Sequence, residues 1–524
     1  MVFLWLSFCG TSSEHLLAQG ASYNLSGSVV NSVTGEPIPR ALVEMGGPAG
    51  NATLTDPEGH FEFDGLTSTQ AALTARKPGF FNERESSQGA GMFAPSRVTV
   101  GPDTAPVVLK LFPEAVIFGQ VTADGEPVED IPVKLTHLRI VDGRRRWEGA
   151  GNTTTDSDGE FRIAELVPGT YYAAVGPSWR PLVPATKASG SRGRGFAEVF
   201  FPAAGDLGSA AAIELTPGQQ FEADVSLKSE PLYNISGSVG GTAAAQGVNL
   251  SFVNSSGDTL PFPVQFSREG SQFDAQVTSG SYTLRAEAFS ENSSQQANLP
   301  ITVNSDMAGV HLVVEPDVAI PVIVRTEFTA PVGGKTAAMN MPVTVELSSA
   351  LPSLAPNDYA SSLDAPANPS SIVIRDVERG KYSAVIVPNG PFYVQSAQCG
   401  GVDLLHDDLN VAAGARVPPI DILLRNDGAT LTGTLSAEQQ AARGVVFLVP
   451  DRNPRQTKAQ RAQGQFRFTN LAPGDYSVFA LENDELEYTS AEALAPYLAK
   501  AAQVTLSPNG TVNAPPLEPI NAGK

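Results

Sequence analysis

One pattern, met five times about a hundred residues apart, limits what this chain can fold into more than any other feature. Gly59-His60-Phe61-Glu62-Phe63-Asp64-Gly65-Leu66 returns as Gly159-Glu160-Phe161-Arg162-Ile163-Ala164-Glu165-Leu166, continuing there into Val167-Pro168-Gly169-Thr170-Tyr171. It returns as Gly464-Gln465-Phe466-Arg467-Phe468-Thr469-Asn470-Leu471, continuing into Ala472-Pro473-Gly474-Asp475-Tyr476. Fainter copies run from Phe273 to Tyr282 and from Ile372 to Tyr382. Anchored on Phe61, Phe161, Phe273, Ile372 and Phe466, the steps are 100, 112, 99 and 94 residues. That period is the size of a domain, not of a solenoid turn.

Each copy reads as strands. In Phe-x-Phe or Phe-x-Ile both apolar side chains point to one face, while Glu62, Arg162 or Arg467 points to water. Pro-Gly then makes a tight turn, and the strand after it, Tyr171–Val175 or Tyr476–Ala480, is expected to return antiparallel. Upstream, Thr55-Asp56-Pro57-Glu58-Gly59 and Thr155-Asp156-Ser157-Asp158-Gly159 read as Asp-Gly hairpin turns. Opening strands recur as Leu25-Ser26-Gly27-Ser28-Val29, Ile117-Phe118-Gly119-Gln120-Val121, Ile235-Ser236-Gly237-Ser238-Val239 and Leu431-Thr432-Gly433-Thr434-Leu435; the fourth copy, Ile320–Val324, lacks the glycine. Each copy closes on two short strands, such as Val98–Val100 with Val107–Leu109.

Short strands at this spacing predict an all-β protein, a tandem array of about five Ig-like β-sandwiches. The expected domains are 22–113, 114–230, 231–315, 316–426 and 427–518. Their junctions, Leu111-Phe112-Pro113-Glu114 and Glu230-Pro231-Leu232-Tyr233 among them, are short and contain proline, which predicts a semi-rigid array. A helix is expected over 491–501, with Leu494, Tyr497 and Leu498 on one face and Pro496 shortening it, crossing one end of the last sandwich.

Residues 1–20 read as a secretory signal: Val2–Cys9 is apolar but far too short to span a bilayer. The basic stretch that usually precedes such a core is missing. Bulky Phe8 before Cys9 makes a poor lipid-attachment box. No other segment reaches 18 consecutive apolar residues, so the mature chain is expected to carry no transmembrane segment. If Cys9 leaves with the signal, Cys399 stands alone as a small buried hydrophobe and core packing must hold the domains.

The run Leu25–Val30, Thr34-Gly35-Glu36-Pro37-Ile38, Ala41-Leu42-Val43, Thr55-Asp56-x-x-Gly59 and Phe61-x-Phe63 resembles the carboxypeptidase regulatory-like domain. The second and fifth copies are similar through Gly-x-Phe-x-Ile/Phe-x-x-Leu-x-Pro-Gly-x-Tyr, the third and fourth only in strand rhythm. The resemblance implies transthyretin-like β-sandwiches, accessory modules of zinc carboxypeptidases, here in tandem as in secreted bacterial proteins and without the peptidase domain. It speaks for fold and says little of function, since such modules support, adhere or bind starch-like glycans alike.

A search for chemistry finds little. The histidines are His15, His60, His137, His311 and His406, and none has Glu three residues on, as a carboxypeptidase zinc site requires. His311 and Glu315 share a strand face but sit in an apolar closing strand, and His60 is expected to face solvent. There is no Gly-x-Ser-x-Gly elbow and no phosphate-cradling loop. Asp156-Ser157-Asp158-Gly159 resembles the start of a calcium loop, but its twelfth position is Val167, where a bidentate Glu is needed, so a turn is the expectation. No catalytic residue, cofactor or metal site is therefore expected.

The most distinctive local feature lies in the second domain. Arg139, Arg144, Arg145, Arg146, Lys187, Arg192 and Arg194 form a basic island in a chain with 34 Lys and Arg against 55 Asp and Glu, net −21. Trp147 and Trp179 flank the Phe161 hairpin, and Phe196, Phe200 and Phe201 follow. Trp147 and Trp179 with Arg144, Arg145 and Arg146 are a possible ligand site for sugar rings or anionic polysaccharide. The competing reading buries both tryptophans in the core and leaves the arginines as a solvated hairpin tip. The acidic balance argues against nucleic acid as a partner. What is expected is a secreted or surface-associated, non-enzymatic binding or scaffold protein, its partner a protein or polysaccharide of the cell envelope. The alternatives are a carbohydrate-binding protein using the second domain's aromatic loops, and a hydrolase with an unrecognised carboxylate site.

Overall fold

The computed structural model describes residues 22–46, 51–82, 85, 95–177, 193–241, 247–267, 271–289, 294–329, 342–350, 358–363, 372–412, 416–437, 440–441, 443–483 and 485–521. The fold is all-β. The chain divides into two compact units, one of residues 1–118, 162–169 and 214–222, the other of 119–161, 170–213 and 223–524.

In the first unit, alternation along Tyr23–Asn31 buries Leu25 and Val29. This strand pairs antiparallel with His60–Leu66 and parallel with Val107–Pro113. A second sheet runs in the order Asn51–Leu54, Leu42–Gly46, Gln70–Arg76, Ser96–Thr99. The two sheets enclose a core that includes Leu25, Val43, Phe61, Phe63, Leu73 and Leu111. The expected antiparallel return after the Phe strand is corrected here. His60–Leu66 and Gln70–Arg76 lie in different sheets, because Phe61 and Phe63 on one and Leu73 and Ala75 on the other must face the same core from opposite sides. The closing strands part in the same way, and the last returns parallel beside the first.

The second unit repeats this plan. Tyr233–Gly240 lies antiparallel to Gln272–Val277 and parallel to Met307–Val313, facing a sheet built on Gly247–Val253, Gly280–Phe289 and Ser294–Val303. These strands share a core of their own around Ile235, Phe252, Phe273 and Leu284. From 318 to 425 the strands form one nine-stranded sheet, because Asp358–Leu363 pairs both with Val343–Ser349 and with Ile372–Val377. From 429 to 513, Lys458–Gln463 joins the two halves of a seven-stranded sheet likewise. Cys399 is buried here as expected, its thiol donating to the Pro418 carbonyl at 3.2 Å, and burial pushes that thiol up from its ordinary value.

The helix forms over Ala491–Leu498, with the Ser490 hydroxyl accepting from the Ala493 amide. It does not cross the end of a sandwich. Leu494 sits against Val445, Phe447, Val449, Phe479 and Leu481, and Tyr497 stacks on Phe479 at 5.4 Å. The strands Arg443–Pro450 and Gly474–Leu481 are apolar at both parities, so each buries a second face, and the helix covers it.

Candidate functional site

The site grows from one hairpin. Pro132–Val141 and Arg144–Thr154 pair over their whole length, and Asp142-Gly143 turns between them. Both turn residues have positive φ, 49° and 73°, the type I′ geometry that Asp-Gly favours. The turn delivers three successive arginines to one end of a long ribbon.

That end is tied to distant parts of the chain, though Arg145 stays exposed. The Gly143 carbonyl accepts from the Thr489 amide at 3.2 Å and its hydroxyl at 2.7 Å. A Cβ on Gly143 would stand 2.5 Å from the Tyr488 ring, so only glycine lets the chains approach this closely. Arg144 donates to the Ser383 hydroxyl at 2.8 Å. Arg145 pairs with Glu487 at 3.0 Å. Arg146 pairs with Asp358 at 2.7 Å and donates to Ser348 at 3.2 Å. Nearby, Asp408 takes Arg455 at 2.8 Å and Lys381 at 3.2 Å. Burial alone would raise the Asp408 carboxyl, but the hydrogen bonds from Arg455 and Lys381 outweigh it and hold it below the ordinary range.

Between these contacts lies an open cleft of about 270 Å³, walled by the arginines, Trp147, Ser348, Ser349, Ser383 and Thr489. Trp147 is half-buried and meets Tyr172 edge-on at 5.1 Å. The described lining offers guanidinium, carboxylate, hydroxyl and indole groups, but neither imidazole nor thiol. Such a set can hold a polar ligand and has no evident nucleophile–base pair.

The structure thus brings Arg144, Arg145, Arg146 and Trp147 together, while Trp179, Lys187 and Arg192 lie outside the described residues, as does the expected signal. Arg194 turns elsewhere, to Ser229, and Arg139 pairs with Glu148 at 3.3 Å. Phe196 and Phe200 are core residues. The partners Ser348, Asp358, Ser383, Asp408, Arg455 and Glu487 were not foreseen, since nothing local ties residue 144 to residue 383; only Asp142-Gly143 between alternating runs hinted at an extended hairpin.

The other candidates resolve simply. Among the described residues no three metal-ligating side chains cluster. His60 is exposed, and His311 bonds the Ser238 hydroxyl at 2.9 Å. His137 stacks on Tyr171 at 4.4 Å; burial, then Arg139, pulls its imidazole down to about 4, so it is neutral at pH 7. The Asp156 carboxylate accepts from the Asp158 and Glu160 amides at 3.0 and 2.9 Å, so it serves its own turn. The Glu198 carboxyl, with its Oε1 enclosed, accepts from Asn254 at 2.6 Å, and burial pushes it up to about 7. No described helix is long and apolar enough to cross a membrane, which leaves strand-built spans aside.

Several solved structures are similar to parts of this chain. The Bacillus anthracis TIE protein is 13% identical over 56% of this chain and 51% of its own length, at a TM-score of 0.18, so the chain spans about half of that structure. GBS52, the minor pilin of Streptococcus agalactiae, is 14% identical over 40% of this chain and 97% of its own, at 0.22. A streptococcal ancillary pilin is 11% identical over 56% and 100%, at 0.19. At such scores nothing about this chain rests on them. No curated protein matches. The first sandwich is another matter: residues 24–108, the stretch carrying the first Phe-x-Phe copy, match the carboxypeptidase regulatory-like domain.

Proposed function

We propose that this protein is a secreted or surface-associated scaffold without catalytic activity. Five β-sandwich modules, at 22–113, 114–230, 231–315, 316–426 and 427–518, hold or space a protein or polysaccharide of the cell envelope. The observation that carries this reading is the hairpin clasp: Gly143, Arg144, Arg145 and Arg146 bond residues 200 to 350 positions away. A scaffold needs fixed spacing between modules, and polar ties of this kind supply it where apolar interfaces do not. A cleft lined by charge and hydroxyl without imidazole or thiol supports binding over turnover. Protease shaving of intact cells should degrade the protein, and a pull-down from intact envelope should retain a reproducible protein or polysaccharide. Recovery from the cytosol alone, with nothing retained, counts against the proposal.

A second reading, carbohydrate binding, is favoured by one observation, the Trp147 indole beside serine and threonine hydroxyls in the same cleft. Loss of glycan binding in Trp147→Ala, with unfolding unchanged, is its expected outcome.

A further inference from the structure

Among the described residues, the cleft at the hairpin end holds one more positive charge than it neutralises. Its lining carries four arginines, Arg144, Arg145, Arg146 and Arg455, and three carboxylates, Asp358, Asp408 and Glu487. Every carboxylate is taken: Asp358 by Arg146, Asp408 by Arg455, Glu487 by Arg145. Arg144 remains, and the partner it has is the neutral hydroxyl of Ser383. Adding Lys381, which shares Asp408, and Glu346, close enough to act on Arg144, leaves the surplus at one. Burial, then Arg146 and Arg455, pulls the Arg144 guanidinium below its ordinary value, as befits a cation short of counter-charge. It stays charged all the same, with five N–H donors and unused capacity.

Around that cation stand Ser349 and Thr489, the latter giving its proton to Gly143 and keeping lone pairs that can accept, and the Trp147 indole, an apolar surface for the C–H face of a sugar, while Ser348 lies deeper, 3% exposed and bound to Arg146. At about 270 Å³ the cleft lies just below the roughly 300 to 1,000 Å³ of small-molecule sites, which limits it to about one ring. A dianion such as phosphate would leave a negative charge uncompensated beside Asp358 and Asp408. A monoanion balances the site.

We propose that the cleft binds a uronate unit of an acidic saccharide, its carboxylate on Arg144, its hydroxyls beside Ser349 and Thr489, and its ring against Trp147. The inference rests on the carbohydrate reading above and narrows it.

The test is a saturation-transfer NMR titration of the full chain with methyl glucuronide, its methyl ester, neutral methyl glucoside and inorganic phosphate. The free acid should bind about tenfold more tightly than the ester, the effect of one charge-assisted hydrogen bond. Arg144→Gln should erase that preference and Arg144→Lys restore part of it, while Trp147→Ala weakens acid and ester alike. Thermal melts check that each variant is folded. Equal binding of acid and ester, or a preference that survives Arg144→Gln, overturns the uronate assignment and leaves the carbohydrate reading standing. Displacement of the acid by equimolar phosphate also overturns it. Binding of none of the three sugars overturns both.

Discussion

Phe466 shows how much a single residue pair carries. Gly433 stands opposite it in register, and a Cβ on Gly433 would come 2.2 Å from the ring. Gly27 faces Phe61 and Gly237 faces Phe273 in the same way. In the fourth copy both members change together: Val322 pairs with Ile372, so the branched chain fills the space that glycine leaves for a ring elsewhere. Gly433→Val alone should destabilise by about 1–3 kcal/mol through overpacking, and Phe466→Ile alone by a similar amount through the void it leaves. The double variant should recover at least about 1 kcal/mol of the sum, a coupling measured by urea unfolding of all four proteins. Strict additivity would show that the ring and the glycine do not share space. A second recurrent residue is the left-handed one four positions beyond the anchor: Gly65, Glu165, Asp376 and Asn470 all have φ between 54° and 70°. Opposite Gly65, Asp376 and Asn470 the register of the opening strand slips, as a bulge requires.

At the scale of elements, the repeated turns do two jobs. Asp156 closes the turn before the Phe strand by accepting two backbone amides, and Asp56 accepts the His60 amide at 2.7 Å. Asp156→Ala should therefore cost about 1 kcal/mol of stability, and millimolar calcium should leave the melting temperature of the wild type unchanged. A calcium-dependent rise abolished by that variant would restore the metal-loop reading. The turn after the Phe strand is tied by tyrosine: the hydroxyls of Tyr282, Tyr382 and Tyr476 each donate to the carbonyl four residues upstream, at 3.3, 3.0 and 2.7 Å. This explains why Tyr recurs after Pro-Gly or its equivalent. The ring fills the core while its polar end satisfies the chain where it leaves the Phe strand.

At the largest scale, polar groups far apart in sequence tie strands of the second unit to one another. Arg146 and Asp358 are each about a quarter exposed, 26% and 30%, so their attraction is only partly screened. Arg146→Ala should cost about 1–2 kcal/mol of local stability, read as faster hydrogen exchange in Arg144–Thr154 and Val343–Ser349 with the cores unchanged. In 1 M salt, where charges are screened beyond about 3 Å, the wild type should move toward the variant. Glu198 gives a pH test. Its folded value of about 7 lies above that of an unfolded glutamate, so the folded chain keeps a proton that the unfolded chain releases. The stability this contributes is complete below the ordinary glutamate range and is lost as pH rises through about 7. Unfolding at pH 5 and pH 8 should differ by on the order of 2 kcal/mol more in the wild type than in Glu198→Gln, which cannot titrate. Equal pH dependence in both would remove Glu198 as the cause.

Period-two alternation, Asp-Gly and Pro-Gly turns and the hundred-residue repeat settle the all-β class from sequence alone, because a strand with one face on a core buries alternate residues. Trp147 and its arginines could likewise be singled out by composition, as a basic, aromatic island in an acidic chain. Strand pairing could not be read this way: Gln465–Leu471 and Gly474–Leu481, joined by Pro-Gly, look like a hairpin, yet they do not pair and each finds other partners in the same sheet. The helix over the last sheet was visible in sequence, yet its seat on Phe447 and Phe479 depended on a second apolar face that no short window reveals. The fate of the arginines was tertiary throughout. Charge is local to a sequence, but the carboxylates and hydroxyls that answer it arrive from hundreds of residues away, by the folding of the rest of the chain.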